Sequence, residues 1–199
     1  MKKLYILTAL ITMLLALGCM GPSLQKGDLD FKTYSPTSAV VLPLKLPVGM
    51  VFEEKALSES ILNGVAASGV FNTVVAPSSV KKRAAADPDM KAAVAEYVSQ
   101  AALGQTPEAG LAASIASAFG AETIITVDVT RFGYIVTPTQ NYAEAAMTVT
   151  ITDGATGALV WRASHTMYDW GGTGKAALPG LGRKLSDYLF SFVPMRKEG

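Results

Sequence analysis

The chain has 199 residues, 50% of them hydrophobic and 17% charged, with a formal net charge of +1. That length suits one domain with a sizeable core. The near-neutral balance argues against nucleic acid, which is bound through a basic face, and the single cysteine excludes an internal disulfide.

Lys2 and Lys3 open the chain; residues 4–17 are apolar but for two Thr; Gly18 and Cys19 follow. A charged start, an apolar middle and a small residue at the cut make a secretory signal peptide. The apolar run falls short of the ~20 residues of a membrane span. Ala16-Leu17-Gly18-Cys19 resembles the lipobox of a bacterial lipoprotein signal, with Ala16 where Leu is usual and Leu15 one step earlier. A plain signal cut after Gly18 is the alternative. It would leave a lone thiol in an oxidising compartment, a liability that acylation removes. The lipoprotein resemblance implies acyl chains on Cys19 and hence the membrane as a partner. Met20 in place of Asp implies sorting to the outer membrane, facing the periplasm. Loss of Lys2 and Lys3 with the signal takes the formal charge from +1 to −1. The expected division is a signal at 1–18, a lipidated N-terminus and flexible tether at 19–38, and an α/β envelope domain at 39–195.

The tether expectation rests on a polar stretch with Gly21, Pro22, Gly27 and Pro36 and no sustained period. Next, Ala39-Val40-Val41-Leu42-Pro43-Leu44 reads as a buried strand leaving through Pro43. Leu57, Ile61, Leu62 and Val65 recur at helical spacing from about Phe52, with Gly69 as a stop. Residues 71–76 read as a second strand. Ser78-Ser79 caps a short helix carrying Lys81-Lys82-Arg83, a basic trio read as a solvated face. Met90, Val94 and Tyr97 mark a helix after Asp87-Pro88, broken at Gly104. Thr106-Pro107-Glu108 predicts another, with Thr as N-cap and Pro at the first position, ending at Gly120.

A β-rich run follows. Ile124, Ile125, Val127 and Val129 belong to one strand continuing toward Phe132 and Tyr134, then a loop passes Pro138. Met147, Val149 and Ile151 alternate with Thr148, Thr150 and Thr152, the period of a half-buried strand. Asp153-Gly154-Ala155-Thr156-Gly157 predicts a tight turn, and Leu159, Trp161 and Ala163 a third strand. Sequential strands of this kind form an antiparallel meander. A last helix places Leu178, Leu181, Leu185, Leu189 and Phe192 on one side, with Pro179 tolerated in its first turn. The fold class expected is α/β: a mixed sheet of about five strands, packed by helices, in one domain.

Three stretches resemble the curli-secretion (CsgG-like) and TolB amino-terminal domains. Residues 39–44 are similar to their opening strand. The run Phe119-Gly120-Ala121-Glu122 into residues 123–127 is similar to the "G-A-D" lead into their middle sheet, with Glu122 for the Asp. Residues 151–161 resemble their "D-x-x-T-G-x-x-x-W" hairpin, where Gly157 serves the turn and Trp161 the core. The resemblance implies an α/β sandwich and an envelope lipoprotein.

Catalytic chemistry finds little footing. His165 is the only histidine, in phase with Trp161 and Ala163 at a strand end, and reads as a packing residue. A metal centre needs several converging ligands, and a nucleophile needs a base and an orienting acid. Gly171-Gly172-Thr173-Gly174-Lys175 misses the phosphate-loop pattern at Asp169 and Ala176. Its likeness to a dinucleotide fingerprint fails because no strand run follows. No catalytic residue, cofactor or metal is expected. Phe132, Tyr134, Tyr142, Tyr168 and Trp170 lie near strand ends, as contact anchors or as core and cross-strand pairs. The expected function is that of a membrane-anchored, non-enzymatic adaptor that binds another envelope protein, with homo-oligomerisation left open. The rival is a subunit of a CsgG-like secretion complex, disfavoured because no paired amphipathic runs of ~10 residues stand out around the short 132–142 loop.

Overall fold

The computed structural model describes residues 21–27, 29, 34–48, 54–170 and 174–194. Strand β1 (Ser23–Lys26) comes first, then β2 (Ser38–Val41), helix α1 (Glu54–Ala67) and β3 (Thr73–Val75). Helices α2 (Pro77–Ala86), α3 (Pro88–Ala102) and α4 (Ala109–Phe119) follow. Strands β4 (Thr123–Val136), β5 (Asn141–Asp153) and β6 (Leu159–Trp170) lead to a 3-10 turn (Gly174–Ala177) and α5 (Leu178–Phe190). The strands form one mixed sheet in the order β1-β6-β5-β4-β2-β3. β2 runs parallel to β3 and β4, while β4, β5 and β6 make the expected antiparallel meander. The α/β mixed-sheet class is therefore observed, with six strands among the described residues rather than about five.

The extra strand corrects the tether. Ser23–Lys26 pairs antiparallel with β6, and Gly27 N donates to Val160 O at 3.0 Å. Beyond it, Leu29 and Tyr34 pack on the core, and Tyr34 Oη shares a 2.8 Å hydrogen bond with Thr123 Oγ1. Composition misled here because four exposed residues on an edge need no apolar period; their backbone groups carry the pairing. The signal segment and Cys19 lie outside the described residues.

Two cores sandwich the sheet. Val41, Val127, Met147, Val149, Ile151 and Trp161 meet α1 and α5 on one face. Val40, Leu42 and Ile124 meet Val94 and Tyr97 of α3 and Ile115 of α4 on the other. The alternation of Ala39 to Leu42 between these cores is the period of two made visible. Helices α1 and α5 cross closely at Gly64, where an added Cβ would lie 2.7 Å from Ser186 Oγ and 2.8 Å from a Phe190 ring carbon. Ser186 Oγ donates to Ser60 O at 3.1 Å across the same crossing.

Several boundaries move. Asp87 caps α3 as its place before Pro88 implies, its Oδ1 accepting from Asp89 N and Met90 N at 3.1 Å. Ser78 and Ser79 do not cap α2; Ala76 stands at the N-cap because Pro77 already occupies the first turn. Thr106 and Pro107 lie outside α4, whose N-cap is Glu108. Pro107 O is instead packed against Gly157, so this turn is docked on the β5–β6 connection. Phe192 falls beyond the end of α5, 37% exposed and edge-on to Tyr188. Lys81, Lys82 and Arg83 are exposed, as expected of a solvated face; on it Lys81 pairs with Glu54, and Arg83 Nη1 donates to Ala118 O at 2.6 Å.

Candidate functional site

The largest departure from expectation lies in the meander. The 132–142 segment is no loop: β4 runs 14 residues and β5 13, joined through 137–140. Paired runs of over ten residues therefore exist. Their pattern was hidden because Thr130 bulges out between Val129 and Arg131, shifting the phase. The α1–α5 face of the meander is buried from Ile151 out to Ala143 and Phe132, while α3 and α4 meet the opposite face only near Ile124 and Thr152.

The register assigns residues to that second face. Thr150 pairs with Arg162, Thr148 with Ser164, Ala146 with Thr166, Glu144 with Tyr168 and Tyr142 with Trp170. At its covered end, Tyr97 of α3 reaches down to Thr152 in a buried hydroxyl–hydroxyl bond. Burial pushes the Tyr97 hydroxyl up to about 12.

Past Tyr97 the face opens into a polar cleft of about 260 Å³. Asp128, Arg162 and Lys45 line it, together with Thr126, Thr148 and Thr150. Burial raises the Asp128 carboxyl above its usual range, and Lys45 opposes that rise. Lys45 is fixed there by its backbone, which accepts from Val129 N at 2.8 Å and donates to Val127 O at 3.0 Å. Arg162 Nε donates to Thr150 Oγ1 at 3.1 Å, and Nη2 to Ala101 O at 3.5 Å. Burial lowers the Arg162 pKa. The cleft brings charges of both signs together with the hydroxyls of Thr126, Thr148, Thr150 and Ser164. Among the described residues no group of three His, Cys, Asp or Glu side chains is placed to hold a metal ion.

Further out, Arg131 Nη1 and Glu144 Oε1 form an ion pair of 2.8 Å with the carboxylate buried. The face ends in three rings. Tyr142 and Trp170 stand 4.6 Å apart, and Tyr168 lies 5.8 Å from each. The five aromatics singled out by sequence thus divide. Phe132 is core and Tyr134 packs partly on it, while Tyr142, Tyr168 and Trp170 form a cross-strand cluster at the surface. The His165 ring lies 4.9 Å from that of Tyr188 of α5, tilted by 43°, and burial lowers its pKa. Residues 171–173 of the glycine cluster lie outside the described residues.

Several solved structures are similar to the chain. The PelC dodecamer from Paraburkholderia phytofirmans shares 16% identity at a TM-score of 0.52, covering 84% of this chain and 95% of that one. The hypothetical protein CT253 from Chlamydia trachomatis shares 12% at 0.51, covering 79% and 98%. The lipoprotein GNA1162 from Neisseria meningitidis shares 13% at 0.48, covering 73% and 91%. The first two likenesses are of fold alone. No protein-family model and no curated protein matches the chain. The resemblance to curli-secretion and TolB domains gains no support from these comparisons.

The motifs behind that resemblance have structural work instead. Glu122 ties the start of β2 to β4: its Oε2 accepts from Thr37 N at 2.5 Å, and its N–H donates to Ser38 Oγ at 3.0 Å. Asp153 Oδ1 closes the turn by accepting from Thr156 N at 2.8 Å and Thr156 Oγ1 at 2.6 Å. Trp161 is core, 1% exposed. Among the described residues, no helix is long and apolar enough to cross a membrane.

Proposed function

We propose that the chain is a bacterial envelope lipoprotein, acylated on Cys19 and seated on the outer membrane, that acts without catalysis as a protein-binding subunit of an assembly. The observation that carries this reading is the junction of signal and sheet. The acyl site implied by Ala16-Leu17-Gly18-Cys19 stands four residues before Ser23, and Ser23 is already paired with Ser164. Four residues span at most about 14 Å, so an anchored domain is strapped to its bilayer instead of reaching from it.

Two cations of the open face support a non-catalytic role, since Arg131 pairs with Glu144 and Arg162 donates to Thr150. Assembly is supported by fold likeness to a dodecamer. Short strands at both edges of the sheet, β1 and β3, also leave room for neighbours.

Metabolic labelling with an alkyne fatty acid tests the anchor: the native chain takes label, and Cys19→Ser loses label and membrane retention. An unlabelled Cys19→Ser chain that stays on membranes overturns it. Crosslinking in intact cells followed by mass spectrometry tests the role. Defined crosslinks to itself or to one envelope protein are expected, and a chain that crosslinks to nothing contradicts the subunit reading.

A further inference from the structure

The direction of β1 decides which part of the domain stands beside the anchor. Its register runs from Lys26 opposite Trp161 to Ser23 opposite Ser164. Traced backward toward Cys19, the chain therefore advances along β6 toward Trp170. Gly21 and Tyr168 line one cleft of about 760 Å³. Only two peptide links, about 7 Å at full stretch, separate Gly21 from Cys19.

At that end the surface has an unusual composition. Trp170 is 58% exposed, Tyr168 47% and Val136, at the end of β4, 70%. The connection 137–140, Thr-Pro-Thr-Gln, carries no charge. Of the two carboxylates at this end, Glu144 on the ring face is neutralised by Arg131, and Asp169 stands half-buried on the other face of β6, opposite Ala143. In water this exposure is unfavourable, because Trp170 and Tyr168 leave about half of their surface in solvent. At a bilayer interface it is favourable, since Trp and Tyr settle at headgroup depth with the ring in the apolar zone and the polar tip hydrated.

We infer that the aromatic end of the meander, Tyr142, Tyr168 and Trp170 with Val136, rests in the headgroup layer of the bilayer that holds Cys19. This rests on the anchor proposed above. It gives the anchor a second contact, which matters because lipid attachment holds firmly when two signals act together. It also fixes orientation: the β4–β5 connection faces lipid, and the β5–β6 turn at Asp153 and Gly157 faces away.

The test separates this geometry from acylation in the cell. Cys19 is the only cysteine, so the chain from Cys19 onward, which keeps every described residue, can be coupled to a maleimide lipid in phosphatidylethanolamine/phosphatidylglycerol vesicles. Two tryptophans report: Trp161 is buried and Trp170 is not. Lipids brominated high on the acyl chain should quench the coupled protein's emission, and Trp170→Phe should abolish that quenching while leaving the circular dichroism unchanged. Emission indifferent to bromine overturns the inference. So does emission that blue-shifts on raising protein concentration without lipid, because a second copy then covers the rings. Failed acylation in cells with bromine quenching intact would sink the anchor reading and leave the surface assignment standing.

Discussion

Ser23 lies directly opposite Ser164, so the segment that follows Cys19 is part of the sheet. Deleting residues 25–34 removes half of β1, the Leu29 packing and the Tyr34–Thr123 hydrogen bond. The expected loss is on the order of 3 kcal/mol, from one hydrogen bond plus buried side-chain area. Urea unfolding measures it. A Gly/Ser replacement of equal length should not restore stability; if it does, β1 contributes only as a spacer.

Gly157 sits at φ +72°, and a Cβ there would lie 2.7 Å from Pro107 O and 3.3 Å from the Ala112 Cβ. Both the left-handed backbone and the backbone oxygen resist a side chain, so Gly157→Ala should destabilise by about 1–3 kcal/mol. Gly180 in α5 has open space around it. Gly180→Ala should instead stabilise by up to about 1 kcal/mol through helix propensity. Thermal melts of the pair give opposite shifts if this reading holds.

Tyr34 and Tyr97 are held at about 12, chiefly by burial, against an ordinary value of 10. A raised folded pKa favours the protonated form, so this stabilisation is complete below pH 10 and is lost as pH climbs toward 12. Each group adds up to about 1.4 kcal/mol per pH unit to that decline. Tyr97→Phe should cost about 1 kcal/mol at pH 7 with its hydroxyl bond to Thr152 gone, yet flatten the alkaline limb. A limb equally steep in the variant would show that Tyr97 does not titrate there.

Burial depresses the His165 pKa below 6.5. Its neutral form is the folded one, so its contribution is present above pH 6.5 and fades as pH falls through the lower folded value. His165→Gln should fold, keep any cellular activity and show a shallower acid limb. Lost activity in a folded variant would point to proton chemistry at this site.

The α/β class, the meander and the Asp153–Gly157 turn were legible in the sequence. Burial periods and turn chemistry are local, and Met147-Val149-Ile151 against Thr148-Thr150-Thr152 announces one covered face. The reach of β4 and β5 was not legible, because the bulge at Thr130 breaks the period where a reader would count it. β1 was invisible because an exposed edge strand is specified by its partner's backbone and not by its own side chains. The α1–α5 crossing at Gly64 was also missed: a glycine mid-helix reads as a defect until the Phe190 ring it admits is in view. The site divides in the same way. Sequence named the five aromatics, but only the Tyr142–Trp170 register shows which of them share an open face.

The pairing of β1 with β6 also orders events in time. β1 stands near the start of the chain and its partner near the end, with the other four strands between them. Such a long loop must close before the contact repays it, so this pair is slow to form. A chain crossing a membrane amino end first delivers Ser23 early and Ser164 late. Throughout that interval Ser23–Lys26 has no strand to dock against, and its backbone groups stay open to water until β6 arrives.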